Sequence, residues 1–404
     1  MPERNVYLDH NATGPVHPEV RAAVLPHLAA DFGNPSAPYP LGQSTRQALD
    51  RARAQLAGLL GGAAGDVVFT GGGTEANNLA ISGAFFGRAE ARRRHLVVSA
   101  IEHPSVRETC AWLAARHGAE VTVLGVGADG RVRLDELSAC LRPETLLVAV
   151  MHANNETGVL QPVAEIGCLL QPLGVRFHID GVQAAGRIPV DVEALGCHSY
   201  AVSGHKFGGM KGAGALILRD REGVDAILRG GHQEGGWRAG TENVPGLVAL
   251  GAAAAVAARD LARNQAHALR LRTVFDGLAN RIPQCWRNGH PDLRLPNTTS
   301  LCCFNADAMS VVLALASLGI SVGTGSACAS HSQEPSGALL AMGLDDHAAF
   351  CTIRVSTGPD TTLEDAEWAA DRIEQIVERV RLVTSPEDIG GCGADCPCFA
   401  KTSS

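Results

Sequence analysis

Phe177-His-Ile-Asp180-Gly-Val-Gln183, with Ser203-Gly-His-Lys206 after it, is the stretch on which the reading of this chain turns. An acidic residue closes an apolar run. A lysine framed by small and hydrogen-bonding residues stands 26 positions further on, from 180 to 206. A pyridoxal phosphate (PLP) site needs this pairing. The lysine holds the cofactor as a Schiff base, and the acid keeps the pyridinium nitrogen protonated so that the ring draws electrons.

Outward from this stretch, between about residues 64 and 220, short apolar runs alternate with amphipathic segments of helical length. The runs are Val67–Thr70, His95–Ser99, Val121–Leu124, Leu146–Val150, Val175–Asp180 and Gly214–Leu218. Pro104–His117 and Val163–Leu173 are two of the helical segments between them. The alternation predicts an α/β fold whose mostly parallel, doubly wound sheet carries helices on both faces. Site residues then collect where strands end. Val244 to Arg281 reads as one long Ala/Leu/Arg-rich helix, or two with a hinge, and leads to a smaller α+β domain closed by a helix over Leu363–Val383. The expected division is a large domain at 15–261, a small one made of 1–14 and 262–385, and a flexible Cys-rich tail at 386–404.

The 404 residues are 46% hydrophobic and 19% charged, ordinary for a soluble globular protein. A formal charge of -8 argues against a nucleic-acid partner. The short cluster Arg92-Arg93-Arg94 reads as a solvated helix end. No signal-peptide order precedes Val6, and the most apolar run, Leu247 to Ala257, is too short to span a bilayer. These features set the expectation of a cytoplasmic enzyme with no membrane partner. Twelve cysteines in such a chain are not a disulfide framework. Cys110, Cys140 and Cys168, inside apolar helical stretches, read as buried small hydrophobes.

Several motifs carry candidate chemistry, and each has two readings. Gly71-Gly-Gly73-Thr74-Glu-Ala-Asn-Asn78 opens a helix after a strand; it is a phosphate-binding helix start or a Gly-rich turn capped by Thr74. His103 could stack on a flat cofactor and move protons, or be a hydrogen-bonded structural residue. Asn154 and Asn155 could donate to a phenolic oxygen or a carboxylate, or form an Asx turn. Arg354 is a carboxylate clamp or a surface ion pair. Cys328, in Gly325-Ser-Ala-Cys-Ala-Ser330, is surrounded by small residues and reads as an exposed nucleophile. The tail thiols Cys392, Cys396 and Cys398 could bind a metal or an iron–sulfur cluster with Cys328, hold a redox disulfide, relay sulfur, or be dispensable.

From Tyr7 to about Leu382 these motifs, in this order, resemble the cysteine desulfurases of the NifS/IscS type, group I of the class V PLP-dependent aminotransferase family. The most specific pieces are Gly33-Asn-Pro-Ser36, Glu102-His-Pro-Ser-Val106, Asn154-Asn-Glu-Thr-Gly158, Ser203-Gly-His-Lys206, Arg229-Gly-Gly-His-Gln-Glu234, Arg238-Ala-Gly-Thr-Glu-Asn243 and Gly325-Ser-Ala-Cys328. Arg238–Asn243, with Arg294-Leu-Pro-Asn-Thr298, leans toward the nitrogen-fixation branch. The resemblance implies the aspartate aminotransferase-like PLP fold and a homodimer that converts L-cysteine to L-alanine. It makes Lys206 the Schiff-base lysine, Asp180 the pyridinium partner and His103 the stacking residue. Asn155 and Gln183 would approach the phenolic oxygen. Gly73, Thr74, Ser203 and His205 would hold the phosphate, with Thr241 joining from the partner subunit. Arg354, with Asn155, would clamp the substrate carboxylate. Cys328 would take the sulfur as a persulfide and pass it to an iron–sulfur scaffold or another acceptor, nitrogenase maturation being one destination. The alternatives are a selenocysteine lyase of the same fold and a non-catalytic sulfur carrier. His10, Gly14, Gly181 and Gly208-Gly-Met210 depart from the family pattern. The first two raise a question of specificity, and the others imply a looser lysine loop.

Overall fold

The structure, a computed structural model, describes residues 4–87, 93–325, 334–385 and 389. In chain order the strands are β1 (Val6–Tyr7), β2 (Val67–Thr70), β3 (His95–Ser99), β4 (Glu120–Leu124), β5 (Thr145–Ala149), β6 (Arg176–Asp180), β7 (Ser199–Ser203), β8 (Gly214–Leu218), β9 (Cys285–Arg287), β10 (Thr298–Cys303), β11 (Ile320–Ser321), β12 (Gly323–Thr324) and β13 (Thr352–Ser356). All six expected strands are present, within a residue at each end. The sequence reading lacked β7, whose two terminal serines break its apolar character.

The larger sheet runs β2-β8-β7-β6-β5-β3-β4. Neighbours from β4 through β7 are parallel, and β8 runs against both β2 and β7. Side chains alternate across it. Val97 and Val148 enter the core shared with the helices Pro40–Leu60 and Val244–Asp276, whereas Leu96, Val98, Leu147 and Ala149 enter the core beneath Gly73–Gly87 and Pro104–His117. A strand buried on both faces reads as a continuous apolar run for this reason.

Local chemistry sets the helix ends. His103 accepts the Ser105 N–H, Pro104 sits in the first turn, and Gly118 at φ 70° ends the helix that begins there. Asn243 accepts the Gly246 N–H to start Val244–Asp276, and a short Leu278–Arg281 helix follows, as the hinged reading expected. By length and composition alone, Val244–Arg281 could cross a membrane. Its Leu247, Leu250, Ala254 and Ala257 are instead packed into the large-sheet core.

A second sheet, β12-β13-β10-β9, is antiparallel and packs with Ala308–Ser317, Leu363–Val383 and the far end of the long helix, through Leu271 and Phe275. The first residues of the chain join this body. β1 pairs in parallel with β11, and Asp9 bridges to Ser356.

Two expectations are corrected. Of the three helical cysteines, Cys110 is buried, Cys140 half-buried and Cys168 exposed. The Val163–Leu170 helix buries Val163, Ile166, Gly167 and Leu170, which turns position 168 outward. Arg93 and Arg94, in the connection into β3, are not simply solvated: Arg93 donates to Gly174 O and Arg94 covers the Phe85 ring, while Arg92 lies outside the described residues.

Candidate active site

The carboxyl ends of β2, β3, β6 and β7 converge on a pocket of about 310 Å³ lined by Gly73, Thr74, His103, Asn155, Asp180, Gln183, Ser203, His205, Lys206 and Arg354. Of the described candidates only Thr241 is elsewhere. It is exposed, on a loop whose neighbours Gly240, Glu242 and Asn243 line a separate small pocket. Cys328, Cys392, Cys396 and Cys398 lie outside the described residues. Among the described residues no cluster of three or more His, Cys, Asp or Glu side chains forms a metal site.

Asp180 ends β6 and is buried. Its Oδ1 accepts the Val182 N–H at 3.0 Å, and its Oδ2 accepts Asn77 Nδ2 at 2.8 Å. Asn77 is four residues past Gly73, on the same face of the helix that opens there. Its Nδ2 also donates to Ser105 Oγ at 2.8 Å, which leaves Oδ1 to accept from His178 Nε2 at 3.0 Å. The proton of neutral His178 is thereby on Nε2, and Nδ1 accepts from Ser199 Oγ at 2.9 Å. Burial pushes the His178 pKa down to about 4, so this ring brings no competing positive charge to the aspartate.

His103 Nδ1 accepts the Ser105 N–H at 3.1 Å, so the neutral ring has its hydrogen on Nε2. Burial lowers its pKa, Asp180 raises it, and Lys206 and Arg107 lower it again; the net shift is downward. Lys206 Nζ donates to Asn11 O at 2.6 Å and Ala12 O at 2.7 Å. His205 Nδ1 is 3.1 Å from Thr13 Oγ1, and its pKa falls to about 4 through burial and the Lys206 charge. Gln183 Nε2 donates to Asn11 O, and Arg187 donates to Gln183 Oε1.

The opposite wall comes from the small sheet. Arg354, on β13, is 1% exposed. Its Nη2 meets Asp9 Oδ1 at 2.5 Å and its Nη1 donates to Asn155 O at 3.0 Å, while buried Nε has no hydrogen-bond partner. It is therefore an ion pair, but an interior one. Asn154 forms the Asx turn, accepting the N–H groups of Glu156 and Thr157, and so aims Asn155 at the pocket.

The departures from the family pattern also find their places. Neither His10 nor Gly14 lines this pocket; both face an adjoining cavity of about 130 Å³. His10 is buried against Ser356 O, and its pKa falls to about 4. Gly181 does not loosen the site. A Cβ there would collide with the Tyr200 ring, which is fully buried and meets His152 Nδ1 at 3.0 Å through its hydroxyl.

The sequence reading missed Asn77, His178, Ser105 and Asp9. The helical spacing of Asn77 from Gly73 was the available signal. Asp9 had none, since its partner is 345 residues away.

The fold and site define an α/β enzyme class in which a lysine and an aspartate line one strand-end pocket. A class-V aminotransferase profile matches residues 6–368, and the chain belongs to that family. It is 41% identical over 377 residues, 93% of each chain, to a cysteine desulfurase IscS of Methanosarcina thermophila. It is similar to the solved structure of a NifS-like protein (TM-score 0.87, 30% identity, 93% of this chain and 100% of that one). A second solved structure, SspA in complex with cysteine, aligns at TM-score 0.78 and 32% identity over 89% of this chain and 100% of that one.

Proposed function

We propose that this chain is a PLP-dependent cysteine desulfurase that converts L-cysteine to L-alanine and passes the sulfur to an acceptor in iron–sulfur cluster assembly. One observation carries the reading: Lys206, Asp180, His103 and Arg354 meet in a single pocket. The pocket fits PLP by its donor set. A carboxylate and an amine line it, together with the hydroxyls of Thr74 and Ser203, the His205 ring and the start of the Gly73–Gly87 helix. A Cβ on Gly73 would meet Val182 Cγ2 at 2.7 Å, so any larger residue there would force Val182 to shift.

When bound, the cofactor supplies the electron sink that labilises bonds at the substrate α carbon. The chain's own residues do the rest. Lys206 Nζ would hold the cofactor and carry the α proton. Asp180, oriented by the Asn77 and Val182 N–H donors, would hold the proton of the pyridine nitrogen. His103 would stack on the ring and present its Nε2 hydrogen toward the site. Asn155 and Gln183 would approach the phenolic oxygen, and Gly73, Thr74, Ser203 and His205 would hold the phosphate. Arg354 would bind the substrate carboxylate in competition with Asp9, and Cys328 would take the sulfur. Division into 15–261 and 1–14 with 262–385 is supported by the two separate cores and by the pairing of residues 6–9 with the small sheet. A homodimer, with Thr241 reaching the partner's phosphate site, is supported by the exposure of Thr241 and of the apolar Leu25, Leu28, Phe32 and Tyr39. The Arg238–Asn243 motif favours nitrogenase maturation as the destination of the sulfur.

The deciding experiment is alanine release from L-cysteine by the purified holoenzyme and by Cys328→Ala under reducing conditions. Alanine from the parent alone supports the proposal. No alanine from protein that still holds PLP would point to selenocysteine or another amino acid.

A further inference from the structure

Behind the small-sheet wall lies a group of thiols that the desulfurase reading does not use. Cys285 on β9 and Cys303 on β10 are directly opposite in the antiparallel register, with sulfur atoms 3.7 Å apart. The flanking bonds, Asn288 N–H to Ser300 O and Phe304 N–H to Gln284 O, make 300/288 and 304/284 the hydrogen-bonded pairs. Cys303/Cys285 is then a non-hydrogen-bonded pair, the type whose Cα atoms come closest, about 4.5 Å apart. That spacing lies inside the range a disulfide accepts, and the sulfurs need to close by only about 1.7 Å, within reach of a χ1 rotation.

The two thiols differ in access. Cys303 is fully buried, whereas Cys285, at 9% exposure, lines a surface pocket of about 320 Å³ with Trp286, Arg287, His290 and Arg294. The Cys303 thiol beside it and the nearby Arg381 charge lower the Cys285 pKa, while burial opposes them. Cys302 points to the other face of β10, to Ala348 O, and is outside the pair.

We propose that Cys285 and Cys303 form a redox-active dithiol, a modification site that small hydroperoxides oxidise to a cross-strand disulfide. Cys285 thiolate attacks one peroxide oxygen, the O–O bond breaks, and hydroxide leaves, taking up a proton to become water. The resulting sulfenic acid is attacked at sulfur by Cys303; the S–O bond breaks and a second water leaves. Two thiols lose two electrons and two protons, and one hydrogen peroxide becomes two waters. The staple ties the edge strand β9 to β10, the strand that also places Thr298 against Asn11 and Ser300 opposite Arg354. The proposal does not depend on which substrate the enzyme takes.

The test uses reduced holoenzyme, freed of reductant and treated with a small excess of hydrogen peroxide. Remaining thiols are then blocked and the protein is digested without reduction. Trypsin isolates Cys285 in Ile282–Arg287, and chymotrypsin separates Cys302-Cys303 from the later cysteines. The expected product is a peptide pair joining Cys285 to Cys303, lost on adding dithiothreitol and retained in Cys302→Ser. In Cys303→Ser the reaction should stop at a Cys285 sulfenic acid that a dimedone probe traps. In Cys285→Ser, Cys303 should stay reduced. Peptide maps in which Cys285 and Cys303 remain fully alkylatable, while other cysteines oxidise, would overturn the proposal. The parent protein alone decides this if a variant fails to fold.

Discussion

The two walls of the pocket are built on opposite plans. On the large-sheet side, Asp180 receives a hydrogen bond on each oxygen, and Asn77 spends both amide hydrogens and its oxygen on Asp180, Ser105 and His178. That wall is complete before anything binds. The small-sheet wall holds a cation already claimed by Asp9, with a buried Nε left unpartnered. The first arrangement is preorganised for a resident group. The second leaves room for exchange, because an incoming carboxylate can offer Arg354 what Asp9 and the Asn155 carbonyl do not.

The sharpest break between the walls is Lys206→Ala, which should abolish turnover while the protein keeps its sulfur-binding thiols; alanine assay and persulfide labelling separate the two. If turnover survives, the large-sheet wall does not hold the reacting amine. Arg354→Ala comes next, with an expected rise in KM for L-cysteine of about 100-fold, the loss of a charge-assisted bidentate contact. Cofactor absorbance should not change. A fall in cofactor content instead would mean that Arg354 supports the fold more than it binds substrate.

Asn77→Ala should weaken cofactor retention about 10-fold, as expected for one hydrogen bond to a charged group, measured by dialysis and absorbance. Asn77→Asp should do worse, because it replaces the donor to Asp180 with a second carboxylate that repels it. Equal effects of the two substitutions would remove Asn77 from the positioning role.

The smallest effect concerns Glu102, at the end of β3. It accepts from Ser99 Oγ and the Met151 N–H, while its buried Oε2 has no partner. Burial, opposed by those donors, raises its pKa to about 8. The native state thus holds a proton that the unfolded chain releases near its ordinary value of about 4.5. This stabilisation is complete below that value and is lost as pH rises toward about 8. Glu102→Gln, neutral throughout, should gain on the parent by a few degrees in Tm between pH 5 and pH 8. An equal offset at both pH values would show that Glu102 is ionised in the fold.

What was legible in the sequence follows the same division. The large-sheet wall is local: Gly73 and Thr74 follow β2, His103 and Asp180 lie at strand ends, and apolar runs mark the strands. The resemblance supplied the rest of the pocket's membership. Asn77 was in a quoted motif, yet its role depends on Asp180, 103 residues on. Asp9 with Arg354 and Cys285 with Cys303 are fixed by sheet register, which composition and spacing do not encode. Gly181 read as a loosened loop because its occupant, Tyr200, comes from the next strand.

Residues 6–12 also set an order of events in synthesis. They leave the ribosome long before their partners β11, Ser356 and Arg354. Asn11 and Ala12 meanwhile meet the Lys206 amine. A nascent chain can therefore fold its large sheet and still lack one side of the pocket. Closure waits until β13 has emerged, which makes assembly of the finished site a late event of synthesis, well after the large sheet has been made.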